Sequence, residues 1–110
     1  MKTIAIDFDG TICKKQPYGD GLLWQEPNEG AIQVIKKLRL EYKIVIFTTR
    51  LNPNMGGDIG WKKEQIIGWL NKYEIPFNEV TNNKPSAMVY IDDRAIRFTN
   101  WTDINNYLLQ

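Results

Sequence analysis

The sequence contains no histidine and a single cysteine, Cys13. The first absence removes histidine-based triads, histidine metal sites and imidazole general bases, so any acid–base chemistry must run on carboxylates or lysines. The second removes an internal disulfide and points to a reducing compartment. Neither sign of charge dominates: 14 basic and 13 acidic side chains leave a formal net charge of +1. That balance argues against a nucleic-acid-coating or membrane-surface protein, while leaving room for a local basic site. No apolar run is long enough to span a bilayer, and Met1-Lys2-Thr3-Ile4-Ala5-Ile6-Asp7 turns acidic too soon for a secretory signal. A cytoplasmic, soluble protein is expected.

What is present suits one domain over residues 1–110, with 43% hydrophobic residues and 12% aromatics to build a core. Lys2 to Phe8 reads as a buried strand that ends in acids and Gly10. Asn28 is placed to cap a helix whose inner face carries Ala31, Val34, Ile35 and Leu38. Lys43 to Thr48 is a second apolar strand. Asp58 is placed to cap a helix through Tyr73, with Ile66, Trp69, Leu70 and Tyr73 inward. Phe77 to Val80 and Ala87 to Ile91 follow as strands, and Thr102 to Leu109 as a last helix burying Ile104, Tyr107 and Leu108. Tyr18-Gly19-Asp20-Gly21 reads as a hairpin turn within the loop Gly10–Pro27.

Continuous apolar strands separated by helices indicate parallel βαβ units. The order β-α-β-α-β-β-α predicts an α/β, Rossmann-like, mainly parallel sheet of strand order 3-2-1-4 with helices on both faces. Ligands bind such sheets at the carboxyl ends of the strands. Those ends carry Asp7 and Asp9, then Thr48, Thr49 and Arg50, then Asp92, Asp93 and Arg94. Acids two apart on a strand point the same way, so up to four carboxylates are expected in one crevice. Such a cluster repels itself unless it surrounds a cation. Oxygen donors alone favour a hard ion, and few carboxylates with room for water and phosphate favour Mg²⁺.

Asp7-Phe8-Asp9-Gly10-Thr11 resembles the first motif of the haloacid-dehalogenase-like (HAD) phosphatase superfamily. Thr48 after Ile44-Val45-Ile46-Phe47 resembles its second motif, Lys84 its third, and Ile91-Asp92-Asp93 its acidic fourth. The resemblance implies a Mg²⁺-dependent phosphomonoester hydrolase in which Asp7 attacks phosphorus and Asp9 acts as acid and then base. It implies a metal held by Asp7, the Asp9 backbone carbonyl and Asp93, with Asp92 in support. Thr48, Thr49 and Lys84 would bind the phosphoryl group, with Lys62 or Lys63 as substitutes for Lys84. Arg50 and Arg94 would meet further anionic groups at the crevice mouth.

Only a short flap, Cys13 to Glu26, is available as a cover, so the chain resembles the capless branch of the superfamily, whose open sites accept large substrates. Thr48-Thr49-Arg50 and Ile91-Asp92-Asp93-Arg94 also resemble the 3′-phosphatase domain of phage polynucleotide kinase. Nucleic-acid 3′-phosphates, phosphoproteins and small phosphometabolites are all compatible substrates, and an oligomer is compatible with the sequence. A different reading is a catalytically weak phosphate-binding or regulatory module that acts through a partner. The plainer alternatives are that Thr48 and Thr49 cap a strand end, that Lys84 is a loop lysine, that Arg50 and Arg94 pair with the acids, and that the four tryptophans pack rather than stack on bases.

Overall fold

The computed structural model describes residues 1–19 and 21–109. Four strands, β1 (Thr3–Asp7), β2 (Lys43–Phe47), β3 (Glu79–Thr81) and β4 (Val89–Ile91), form one sheet in the order β3-β2-β1-β4. All three neighbour pairs are parallel. Helices α1 (Ala31–Arg39) and α2 (Ile59–Lys72) supply the crossovers, and α3 (Trp101–Leu109) follows the last strand. The order 3-2-1-4 is the one expected from the sequence. It sets β1 between β2 and β4 and so brings the polar strand ends together.

The apolar runs explain the core. Ile4, Ile6, Phe8, Ile44 and Ile46 are buried with Ile35 of α1 and with Ile66, Trp69 and Leu70 of α2. Phe8 meets the Trp69 ring edge-on at 5.2 Å, a favoured aromatic geometry. Asp58 caps α2 as expected, accepting from the Trp61 amide at 3.1 Å. α1 lacks the expected Asn28 cap: Gly30 at φ +86° precedes it instead. The Asn28 amide group is spent elsewhere, donating to the carbonyls of Gly10, Thr11 and Cys13 at 3.3, 2.9 and 3.3 Å. It thereby fixes the turn that follows the first acids.

The expected hairpin turn includes Asp20, which lies outside the described residues; its closing bond, from the Gly21 amide to the Tyr18 carbonyl, is 2.8 Å. The last helix departs from expectation in packing rather than in existence. Asn100 caps it through the Asp103 amide at 2.9 Å, yet Tyr107 and Leu108 are 73% and 61% exposed instead of buried. No helix among the described residues is long and apolar enough to cross a membrane.

Candidate functional site

The parallel register sets Asp7 beside Phe47 and Ile6 beside Ile91, so the chain leaves β1 and β4 at adjacent points. Asp7, Asp92 and Asp93 converge there, each offering a carboxylate oxygen within 4.8 Å of the others. Thr11 ties the two strand ends together. Its hydroxyl accepts from the Asp93 amide at 3.1 Å and lies 3.4 Å from both Asp7 Oδ2 and Asp93 Oδ1. Gly10 has to be glycine on two counts. Its φ is +80°, and a Cβ there would overlap the Asp93 carboxylate.

Burial pushes the Asp7 carboxyl up to about 7, with the Asp92 charge and a hydrogen bond that the protonated Asp7 donates to Asp93 adding to the rise. An acid held partly protonated by its neighbours is what a cation between them would reverse. A seat of carboxylate oxygens, with no nitrogen or sulfur donor among its three residues, suits a hard divalent ion such as Mg²⁺.

Asp9 does not join that cluster, although it lines the same crevice of about 720 Å³. Its carboxylate takes a two-pronged hydrogen bond from Arg50, Nε to Oδ2 at 2.7 Å and Nη2 to Oδ1 at 2.9 Å. Arg50 is only 3% exposed. Its guanidinium also approaches the carbonyls of Gln16, Pro17 and Tyr18 at 3.3–3.5 Å and stacks 4.5 Å over the Tyr18 ring. The expectation that Arg50 reaches substrate at the crevice mouth is therefore corrected. It is a buried partner of Asp9 that also holds the flap.

The flap is itself well tied. The Gln16 side chain accepts from the amides of Trp24 and Gln25 at 3.0 Å, and the Lys14 and Glu26 side chains pair across its base at 2.6 Å. Cys13 beneath it is buried, and burial pushes its thiol up to about 11, away from reactivity.

Other expected residues divide. Thr48 is buried and caps the short turn Thr49–Leu51, accepting from the Arg50 amide at 3.1 Å, so its hydroxyl does not line the crevice. Thr49 does line it, with its hydroxyl 2.6 Å from that of Tyr18. Lys84 lies outside the lining, with its Nζ 4.2 Å over the Tyr90 ring. The substitute Lys62 bonds the Gly56 carbonyl instead.

The lysine in the crevice is Lys15, 3.8 Å from Asp93 and largely exposed. Sequence reasoning passed over it. Its only signal is a basic pair, Lys14-Lys15, four residues beyond the Gly10-Thr11 turn. Arg94 lines the mouth as expected. Among the tryptophans, Trp69 is core, whereas Trp24 and Trp101 are exposed.

No family model matches the sequence, and no curated protein matches it. Among solved structures, the chain is similar to a crystal structure from Vibrio cholerae at 26% identity and a TM-score of 0.60, over 96% of this chain and 95% of that one. It is also similar to a chain in the structure of the Pnkp1/Rnl/Hen1 RNA repair complex, at 18% identity and a TM-score of 0.54. That match covers 99% of this chain but 32% of the other, and it is a likeness of fold alone.

Proposed function

We propose that the chain is a Mg²⁺-dependent phosphomonoester hydrolase of the HAD type. The observation that carries this reading is the convergence of Asp7, Asp92 and Asp93 at the carboxyl ends of two adjacent parallel strands. Mg²⁺ in that seat would neutralise charge between the carboxylates and the incoming phosphoryl group. Asp7 lines an open crevice. Its Oδ forms a bond to phosphorus as the bond to the leaving oxygen breaks, and Asp9 gives that oxygen a proton. Water then attacks phosphorus, Asp9 takes its proton, and the Asp7–phosphorus bond breaks to release inorganic phosphate. Thr49, Lys15 and Arg94 line the approach and can donate to phosphate oxygens.

The Asp9–Arg50 pair favours a second reading, the catalytically weak phosphate-binding module. A carboxylate fixed in two hydrogen bonds is poorly placed to carry a proton to the leaving group until substrate or flap movement loosens it. The substrate class we favour is a phosphorylated nucleic-acid end. The open crevice, the exposed cations Lys15 and Arg94, and a structural neighbour named for RNA repair all support it.

Hydrolysis of p-nitrophenyl phosphate and of a 3′-phosphorylated oligonucleotide, each with and without Mg²⁺, tests the reading. Mg²⁺-dependent release of phosphate that Asp7→Asn abolishes supports the hydrolase. Phosphate binding without turnover under the same conditions supports the module.

A further inference from the structure

Two apolar surfaces among the described residues remain open, one beside α1 and one on α3. The first is a groove of about 240 Å³ between α1 and β4, walled by Ile6, Ile91, Val34, Ile35 and Leu38. Val34, on its rim, is 53% exposed although it faces an apolar trough. The second is α3, which among the described residues makes no extended contact with another helix or strand. Trp101, Ile104 and Leu108 recur at helical spacing along one side of it, and Trp101 is 74% exposed. The protruding helix enlarges the molecule. Its radius of gyration is 15.0 Å, against about 13 Å for a compact chain of this length.

We propose that α3 docks into the α1–β4 groove of a second copy of this chain, reciprocally, to make a two-fold dimer. Four observations bear on that occupant. One sequence supplies both the unfilled groove and the unburied helix, so a two-fold pairing satisfies all four surfaces at once and leaves none to propagate.

The second observation is that local bonds fix the chain at both ends of the link between β4 and α3. Asp93 is held by Thr11, the Arg94 amide donates to Asp92 Oδ1 at 2.9 Å, and Thr99, Asn100 and Asp103 interlock at the helix start. Phe98 packs on Trp101 at 5.4 Å and stiffens the same joint.

Charge does not oppose the pairing: the groove lining carries one charged residue, Glu29, the last turn of α1 carries Lys36, Lys37 and Arg39, and the only charged side chain of α3 is Asp103. The area suffices as well. The open faces of Phe98, Trp101, Tyr107 and Leu108, with the groove walls they cover, come in two copies to on the order of 1,500 Å², the size of a stable specific interface.

The pairing is independent of phosphatase activity, and so is its test. Sedimentation equilibrium of the purified chain is expected to give twice 12.8 kDa. Leu108→Asp on the helix and Val34→Glu on the groove rim are each expected to return it to the single mass. Both residues are exposed in the lone chain, and unchanged circular dichroism checks that the fold survives.

The decisive arm uses cysteines, since Cys13 is buried and out of reach. A Val34→Cys chain and a Leu108→Cys chain are mixed and oxidised. A covalent heterodimer from the mixture, and little from either chain alone, is the expected result. A single mass at high micromolar concentration with no cross-link overturns the proposal. So does a dimer that neither substitution weakens. A Val34→Cys/Leu108→Cys double variant that closes within one chain would show that α3 folds back on its own groove, and that too overturns it.

Discussion

The molecule carries two acid pairs, Asp7 with Asp9 after β1 and Asp92 with Asp93 after β4, and they are used in opposite ways. The second pair stays together: both carboxylates reach the common point, held there by the Thr11 hydroxyl and the tight turn at Arg94. The first pair divides. β1 ends at Asp7, and the amides of Ile12 and Cys13 turn back onto the Phe8 carbonyl at 3.0 and 3.2 Å. Strand alternation is lost at that turn, so Asp9 faces Arg50 while Asp7 faces the other acids. One pair member is exposed to negative charge and the other to positive. The difference separates the two tasks proposed for them, attack on phosphorus and proton transfer, and it gives the second task to a residue under the control of the flap.

The largest expected effect breaks the comparison at Asp7. Asp7→Asn removes the oxygen proposed to attack phosphorus with little change of shape, and turnover should fall by on the order of a thousandfold or more. The same change removes one charge from a self-repelling cluster. Without divalent ions the variant should therefore melt no lower than the parent, a combination that distinguishes a lost nucleophile from a damaged fold.

Next comes the positive side of the pair. Arg50→Ala leaves the Asp9 carboxylate without its partner and unties the flap from the site. Removing one member of a buried pair costs roughly 3–5 kcal/mol, whereas Arg94→Ala, at the exposed mouth, should change stability by less than about 0.5 kcal/mol. Chemical denaturation of the two variants measures both. Equal, small losses would mean that the Asp9–Arg50 pair contributes nothing to holding the flap.

Much of this site was legible in the sequence, and the misses have one cause. Apolar runs and right-handed crossovers determine the strand order, and strand order alone brings Asp7, Asp92 and Asp93 together. Alternation was then extended one residue pair too far, past the end of β1. Everything placed by the loops escaped the same reasoning. Arg50 turns inward because Thr48 caps the turn after β2. Lys15 enters because the flap folds back over the crevice, while Lys84 is drawn to the Tyr90 ring. The pattern of α3 gave its helix correctly but not its partner, because periodicity reports that a face is apolar and not which surface covers it.

A smaller effect is expected at Gly10, where the two pairs meet. Gly10→Ala places a methyl group against Asp93 and imposes a side chain at φ +80°. Strain at such a position costs on the order of 1–3 kcal/mol. The loss should be accompanied by weaker Mg²⁺ binding in calorimetry, since Asp93 must move. Unchanged metal affinity would show that Asp93 is dispensable to the cation seat.

The last test sharpens the comparison by pH. In the metal-free protein, Asp7 holds its proton up to about 7, well above the ordinary carboxylate range in which the unfolded chain loses it. Its raised pKa thus contributes stability that is complete at low pH and is lost as pH rises from about 4 through about 7. Melting temperature without divalent ions should therefore decline by on the order of a few °C between pH 5 and pH 8. Asp7→Asn should flatten that decline, and Asp9→Asn should not. If Mg²⁺ binds as proposed, it acts on the ionised cluster of the folded chain, so its effect on melting should be larger at pH 8 than at pH 5. A Mg²⁺ shift that is equal at both pH values would place the ion away from Asp7, and the acid pair after β4 would then have to hold it alone.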